Sequence, residues 1–366
     1  MTIATDTQPS TCGPSCGCSP TPVSLGRAAR RDVTTVGTRM TWLDRLGSVR
    51  VRFGIGRMNY RVRPGLFAVG RPGPESPVLL SSNYKLSFDH LRRSLAGRDA
   101  WILVIDTHGI NVWCAVGKGH FSTDEVDRWV EAAGLSSRVS HRKLVLPQLA
   151  APGVAAHEVK RRTGFRVVYG PVRAADSPRF LDARMTATPE MREVRSRLRD
   201  RAVLVPVEVV TGAKYPLVAA AVLFLVGSIG PHGLSLSRAG SLGSAAAALT
   251  LLAFMCGAVL GPLLLPWLPG RAFALKGAAL GGVVALGLAL LGWPSAAFHV
   301  SWLGTAAWGL IIPALTSFVV MNFTGSSTYT SLSGVLREMR VAVPMQIAAG
   351  LIGIGLWVTA LYGATA

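Results

Sequence analysis

Trp101-Ile102-Leu103-Val104-Ile105-Asp106-Thr107-His108-Gly109-Ile110-Asn111-Val112-Trp113-Cys114-Ala115-Val116-Gly117-Lys118 is the stretch on which the reading of the fold turns. Its opening run is short, apolar and rich in β-branched residues. Turn residues close it at Asp106-Thr107-His108-Gly109. Such a run reads as a buried parallel strand. Asn111 then caps a helix, because its side-chain oxygen accepts a free backbone N–H of the first turn. Cys114 falls in that first turn, where the helix dipole and unpaired N–H groups favour an anion and therefore a thiolate. Lys118 lies one turn further on the same face and adds a positive charge. The thiol is thus offered at the carboxyl end of a strand, the edge at which open α/β sheets bind ligands. A soft thiolate suits a soft or transition metal. A lone Cys is more often a small buried hydrophobe, but Asn, Trp, Cys, Gly and Lys crowded at a strand-to-helix junction are a poor recipe for plain packing.

Strands and helices alternate outward from this centre. Gly65 to Gly70 and Val78 to Ser82 read as strands separated by Arg71-Pro72-Gly73-Pro74. Phe88 to Leu95 reads as a helix with Ser87 as its cap. A helix from Thr123 to about Ala133 follows, then strand Leu144 to Leu146, helix Val154 to Arg162 and strand Phe165 to Tyr169. A helix from Thr188 to Arg199 enters through Pro189, and Ala202 to Val210 reads as a last strand or connector. The pattern predicts a doubly wound, Rossmann-like α/β sheet over residues 41–212, with residues 41–63 a basic lead-in. No Gly-x-Gly-x-x-Gly opens a helix after an early strand, which argues against a dinucleotide site.

Past Tyr215 the composition changes. Only Arg238, Arg271, Lys276, Arg337, Glu338 and Arg340 carry full charge there. Apolar stretches at about 216–236, 242–264, 272–293, 299–321 and 341–362 each approach the roughly 20 residues that cross a hydrocarbon core. Residues 213–366 are therefore read as an all-α membrane domain of five transmembrane helices. Gly277/Gly281 and Gly350/Gly355 are candidates for close helix contact. With the α/β domain in the cytoplasm, Lys214, Arg271, Lys276, Arg337 and Arg340 lie at cytoplasmic ends and Arg238 outside, as positive-inside placement requires. The expected location is multi-pass in the cytoplasmic (inner) membrane. The polar stretch 324–331 then joins two spans on the cytoplasmic side.

The formal charge is +19. No nucleic-acid motif accompanies it, and the basic residues scatter through 27–201, which fits a surface facing anionic lipid better than nucleic acid. The five cysteines do not form a secreted disulfide framework. Residues 1–40 are rich in Thr, Pro, Ser and Gly and read as a disordered tail. Within it, Cys12, Cys16 and Cys18 are spaced to share one soft metal ion, although the second ligand pair of a structural zinc site is missing.

The octapeptide Asn111 to Lys118 resembles the cap-helix motif of the HgcA family, the corrinoid proteins of microbial mercury methylation. Their pattern is Asn-(Val/Ile)-Trp-Cys-Ala-(Ala/Gly)-Gly-Lys, and the chain departs from it at Val116, where the family has a smaller residue. The resemblance runs on through Lys118 to Thr123, Val139 to Arg142, Leu146 to Leu149, Ala151 to Lys160 and Gly164 to Pro171. It covers most of residues 60–362. A more distant likeness is to the large subunit of the corrinoid iron–sulfur protein of acetyl-CoA synthesis, which lacks this Cys.

The resemblance implies cobalamin or another corrinoid as cofactor, with Cys114 as the lower axial ligand of cobalt. It implies that Asn111, Val112, Trp113, Ala115, Gly117 and Lys118 shape the cap, with Gly117 permitting close approach. Trp113 shields the lower face or anchors the helix in the core, and the packing role is the one expected. Thr107 and Ser81 end strands on the same edge and are candidates to bond corrin amides. The implied reaction passes methyl from methyl-cobalt(III) to Hg(II), giving methylmercury. Implied partners are an HgcB-like ferredoxin with iron–sulfur clusters, a methyltetrahydrofolate-linked methyl donor and the lipid bilayer. His120 stands where the family usually has Thr and reads as a free surface imidazole, or less readily as a competing ligand or proton donor. Two alternatives stand beside this reading. One is a related corrinoid methyl carrier with arsenic or a one-carbon acceptor. The other is a membrane-anchored soft-metal-binding protein without turnover.

Overall fold

The computed structural model describes residues 33–230, 232–292, 302–323 and 332–363. Cys12, Cys16, Cys18 and the 324–331 connection lie outside the described residues.

The amino-terminal half is a mixed α/β domain. Its sheet has six strands in the order β1 (Thr34–Val36), β2 (Gly65–Val69), β4 (Ala100–Ile105), β3 (Val78–Ser82), β5 (Lys143–Leu146) and β6 (Arg166–Tyr169). Strands β4, β3, β5 and β6 run parallel, as the apolar runs predict. β2 lies antiparallel to β4, and β1 pairs in parallel with β2. The sheet is therefore mixed, because the short link from β2 to β3 has no crossover helix and β2 takes the reverse direction.

Two apolar layers cover the sheet. Leu103, Ile105, Leu144 and Leu146 pack on one face against Val126, Trp129 and Val130 of α4 (Thr123–Ala132) and Val159 of α5 (Ala156–Thr163). On the other face, Ile102, Val104 and Val145 meet Phe88, Leu91 and Leu95 of α2 (Lys85–Ser94) and its C-cap, together with Phe180 of α6 (Ser177–Asp182). This alternation of buried residues to both faces is what a fully covered strand requires.

Several boundaries differ from the sequence reading. Residues 42–52 form a full helix, α1 (Trp42–Arg52), rather than a plain lead-in. A capping box starts it: Thr41 Oγ1 accepts the Asp44 N–H at 3.1 Å and Asp44 Oδ2 accepts the Thr41 N–H at 3.1 Å. β1 lies in the stretch read as tail. α2 begins at Lys85 with Tyr84 at its N-cap, so Ser87 sits inside the first turn and caps nothing. Thr188 to Arg199 is not one helix. It breaks into α7 (Pro189–Arg192) and α8 (Leu198–Ala202), with extended backbone at Glu193. The apolar run after Ala202 is no strand but α9 (Val205–Gly212), which runs almost directly into the next apolar helix.

The carboxyl-terminal half is helical. α10 (Lys214–Ser228) ends where Ile229–Gly230 pairs with Gly233–Leu234, which cuts short the stretch expected to run to residue 236. Among the described residues four helices are long and apolar enough to cross a membrane: α11 (Leu236–Leu264), α12 (Phe273–Leu291), α13 (Trp302–Asn322) and α14 (Leu332–Gly363), the last over Gly334–Tyr362. Leu198–Gly212 and Lys214–Ser228 make a further apolar pair bent by 51°. Gly277 and Gly281 pack as expected. A Cβ on either would sit 2.6 Å from the Cα of Ser317 or Pro313 on α13. Gly350 and Gly355 instead face open space, and Gly353 is the residue pressed against Ile311. Hydrogen bonds add to the small-residue contact: Gln346 Nε2 donates to Ser317 Oγ at 2.8 Å, and Ser317 Oγ donates to the Ala274 carbonyl at 2.8 Å.

Candidate functional site

β4 ends in a turn that is built rather than loose. Asn83, buried just past the end of β3, accepts backbone N–H groups from Thr107 at 3.1 Å and Gly109 at 2.9 Å through Oδ1. Its Nδ2 donates to Asp106 Oδ1 at 2.8 Å, and the same oxygen accepts the His108 N–H at 3.0 Å. Gly109 has φ +78°, and a Cβ there would lie 2.7 Å from the Met58 carbonyl, so no other residue fits without movement. Thr107 is fully buried. Its hydroxyl lies 2.8 Å from Asn83 Oδ1 and 2.7 Å from the Ile110 carbonyl, so its polar groups are engaged in building the turn. Asn83 drew no attention in the sequence. The polar run Ser81-Ser82-Asn83 after an apolar strand was the available signal.

The turn delivers the chain to α3 (Val112–Gly117). Asn111 is its N-cap, accepting the Cys114 N–H at 2.9 Å through Oδ1. The two sides of this helix differ sharply. Val112 and Ala115 are buried in the domain core. Trp113, Cys114, Gly117 and Lys118 are exposed on the other side. Trp113 is 45% exposed, so it does not anchor the helix in the core. A Cβ at Gly117 would meet nothing within 4 Å, so the ground beside Cys114 is open.

The sequence departures find local explanations. Val116 lies against Gly153: a Cβ at Gly153 would stand 3.0 Å from Val116 Cγ1. The extra bulk on α3 is thus received by a glycine opposite. The His120 ring lies against that of His108, with centroids 4.3 Å apart and the planes tilted by 46°. Among the described residues no group of three or more His, Cys, Asp or Glu is arranged to hold a metal ion.

A cavity of about 580 Å³ opens beside α3 at the carboxyl ends of β3, β5 and β6. Asn111, Val112 and Trp113 form one wall, and Ser81, Pro147 and Gly170 lie at the strand ends. Ser81 Oγ donates to the Ser82 carbonyl at 3.3 Å. An Arg173–Asp200 ion pair of 2.6 Å and His90 supply further polar groups. Burial, then the charges of Arg52 and Arg93, hold the His90 imidazole below its usual pKa and so favour its neutral form. Cys114 does not line this cavity; it stands on the outward side of α3.

Residues 52–181 match the family model described as CO dehydrogenase/acetyl-CoA synthase delta subunit. Among curated relatives, the acetyl-CoA decarbonylase/synthase complex subunit gamma of Archaeoglobus fulgidus is 34% identical over 130 residues, covering 34% of this chain and 27% of the relative. The subunit of the same name from Methanopyrus kandleri is 36% identical over 123 residues, covering 33% and 26%. The chain thus spans about a quarter of the length of these relatives. The similarity covers most of the α/β domain, including α3, and stops short of the apolar helices.

Proposed function

We propose that this chain is a membrane-anchored corrinoid-dependent methyltransferase whose acceptor is inorganic Hg(II), and that Cys114 would hold the cobalt of its cofactor. The observation that carries the reading is the outward face of α3, where an N-capped, exposed thiol stands on open ground beside Trp113, Gly117 and Lys118. A planar macrocycle needs an unobstructed surface with one donor atom at its centre, and these residues fit that demand. A corrinoid bound there supplies a cobalt centre that takes up and gives away a methyl group.

The chain's own residues do the rest. Asn111 fixes the first turn and so the position of the sulfur. Lys118, the C-cap of α3, is exposed on the same side of the helix as the sulfur. A corrinoid held by the Cys114 sulfur would supply methyl transfer of the polarity an electrophilic Hg(II) needs. Trp113, beside the sulfur in sequence and 45% exposed, lines the neighbouring cavity. Ser81 lies at the neighbouring strand end and is the remaining candidate for amide contacts. The names of the relatives support the link to one-carbon chemistry. They also favour a second reading, a methyl carrier serving a one-carbon acceptor. Residues 41–212 would form the Rossmann-like corrinoid unit and 213–366 a membrane unit of five crossings, counting the bent pair as one. An HgcB-like ferredoxin would supply electrons and a methyltetrahydrofolate-linked donor the methyl group. The tail cysteines Cys12, Cys16 and Cys18 would capture the soft ion.

The deciding assay gives purified, reduced protein methyl-folate with either Hg(II) or a one-carbon acceptor, after measuring cobalt per protein and the optical spectrum. Methylmercury formation supports the first reading. Transfer to the carbon acceptor alone supports the second. Protein that takes up no corrinoid sinks both. Reporter fusions after Ala366 test the topology, which places that terminus outside.

A further inference from the structure

α1 is amphipathic in the wrong sense for a helix on a soluble domain. Its inward side carries Asp44, Gly47, Ser48 and Val51. Asp44 is held there by Lys85 at 2.6 Å and Arg92 at 2.8 Å, and Gly47 lies so close to Tyr60 that a Cβ would stand 2.6 Å from its hydroxyl. Only Val51 gives that side a buried aliphatic group. The outward side carries Trp42, Leu46, Val49 and Phe53, all exposed, with Leu43 beside them. At about 100° per residue these four fall in one narrow stripe. By the same spacing Arg45 lies along one border of the stripe and Arg50 along the other, and both are exposed. Ile55 and Met58 continue the exposed apolar surface past the helix end.

The position of α1 says what covers this stripe. At its carboxyl end, Gly54 lies against Val207 and Thr211 of α9, the helix that leads into the apolar half of the chain. The stripe is therefore next to the point where the chain turns toward the membrane. An apolar stripe edged by arginines, beside a membrane entry, matches the face of a helix that lies in the headgroup region of a bilayer.

We propose that α1 is an interfacial helix that lies on the anionic lipid surface of the membrane in which the chain is anchored. Trp42, Leu46, Val49 and Phe53 enter the headgroup boundary, and Arg45 and Arg50 meet lipid phosphates. This rests on the membrane-anchored reading. It adds that the α/β domain is held at the surface by two attachments, the apolar helices and α1, which fixes the direction in which its sheet edge faces.

The test uses the full chain in nanodiscs of phosphatidylcholine with or without phosphatidylglycerol. The photoreactive residue p-benzoylphenylalanine is placed in turn at Leu46, at the exposed membrane-helix position Val283 and at the exposed sheet position Arg166, and adducts are identified by mass spectrometry. The expected result is lipid adducts at positions 46 and 283, and at least fivefold fewer at 166. Arg45→Glu with Arg50→Glu should lower the position-46 yield at least threefold in phosphatidylglycerol discs, with little change at 283. Lipid adducts at 283 but not at 46 overturn the proposal and leave the anchoring intact. Peptide adducts at 46 also overturn it, and assign the stripe to the chain's own tail or to a protein partner. Absence of lipid adducts at both 46 and 283 overturns the anchoring and the proposal together.

Discussion

The two halves of this molecule both bury apolar side chains but expose opposite kinds of residue. In the α/β half, Ile102, Leu103, Val104 and Ile105 are inside and the surface carries the charges. In the helical half, small residues such as Gly277, Gly281, Ala245 and Ala246 lie at the contacts. There Val283, Leu286, Leu290 and Leu351 point outward, Leu290 at 79% exposure. Close backbone approach there is added to an apolar core that includes Leu249, Trp308, Ile312 and Trp357. The comparison teaches that the chemistry and the anchoring are held by separate physical means, so each half should fail without the other.

The largest effect should come from Cys114→Ala. Methyl transfer should fall to background, measured by product formation, while helix content and extraction by detergent stay as in the parent. Parent-level activity in this variant would remove the thiol from the mechanism. Next is Asn83→Ala, which strips the partners from the buried N–H groups of Thr107 and Gly109. At about 1–3 kcal/mol for each of the two unsatisfied groups, the α/β half should lose about 2–6 kcal/mol in denaturant unfolding. Activity should fall with it, and the helical half should keep its midpoint.

The third prediction concerns pH. Burial opposes ionisation of Asp44, but the Lys85 ammonium, the Thr41 backbone N–H and hydroxyl, and the Arg92 guanidinium outweigh it. Its carboxyl is therefore held well below the usual carboxylate range. A depressed folded-state value stabilises the fold fully above the unfolded carboxylate pKa of about 3.9. That stability is lost as pH falls from there toward the folded value. Asp44→Asn should cost about 1.5–3 kcal/mol near neutrality and flatten the acid limb of the stability profile. An unchanged acid limb would assign it to other carboxylates. The smallest effect should be that of Gly281→Ala, where the new methyl meets Pro313 on α13. Overpacking of this kind costs about 1–3 kcal/mol, and it should lower the thermal midpoint of the helical half alone. A matching drop in the α/β half would break the comparison.

Most of the parallel strands were legible in the sequence, because Val78 to Ser82 and Trp101 to Ile105 are short apolar runs closed by turn residues. The cap at Asn111 was legible for the same local reason, an Asn ahead of a helical turn. What escaped was set by distant partners. Nothing near residue 65 says that β2 runs antiparallel, since that follows from which strand it pairs with. Asn83 matters because the turn after β4, more than twenty residues on, needs its oxygen. The run at 205–212 reads as strand or connector because Val-rich runs suit both, and in the fold it is the helix that leads into the apolar half. Trp113 was expected in the core, yet an exposed Trp has no sequence signature of its own.

The order of the sheet carries a practical consequence for anyone cutting the gene. The similarity to known subunits begins at residue 52, and a fragment started there would lack β1. The outer side of β2, with Phe67 and Ala68 at its middle, would then offer unpaired backbone groups to any passing chain. A cut at Val78 would be worse, since it would bare β4, whose Ile102 to Ile105 are wholly apolar. Open apolar strand edges are templates for fibril-like self-association. A well-behaved soluble fragment therefore has to start ahead of Thr34.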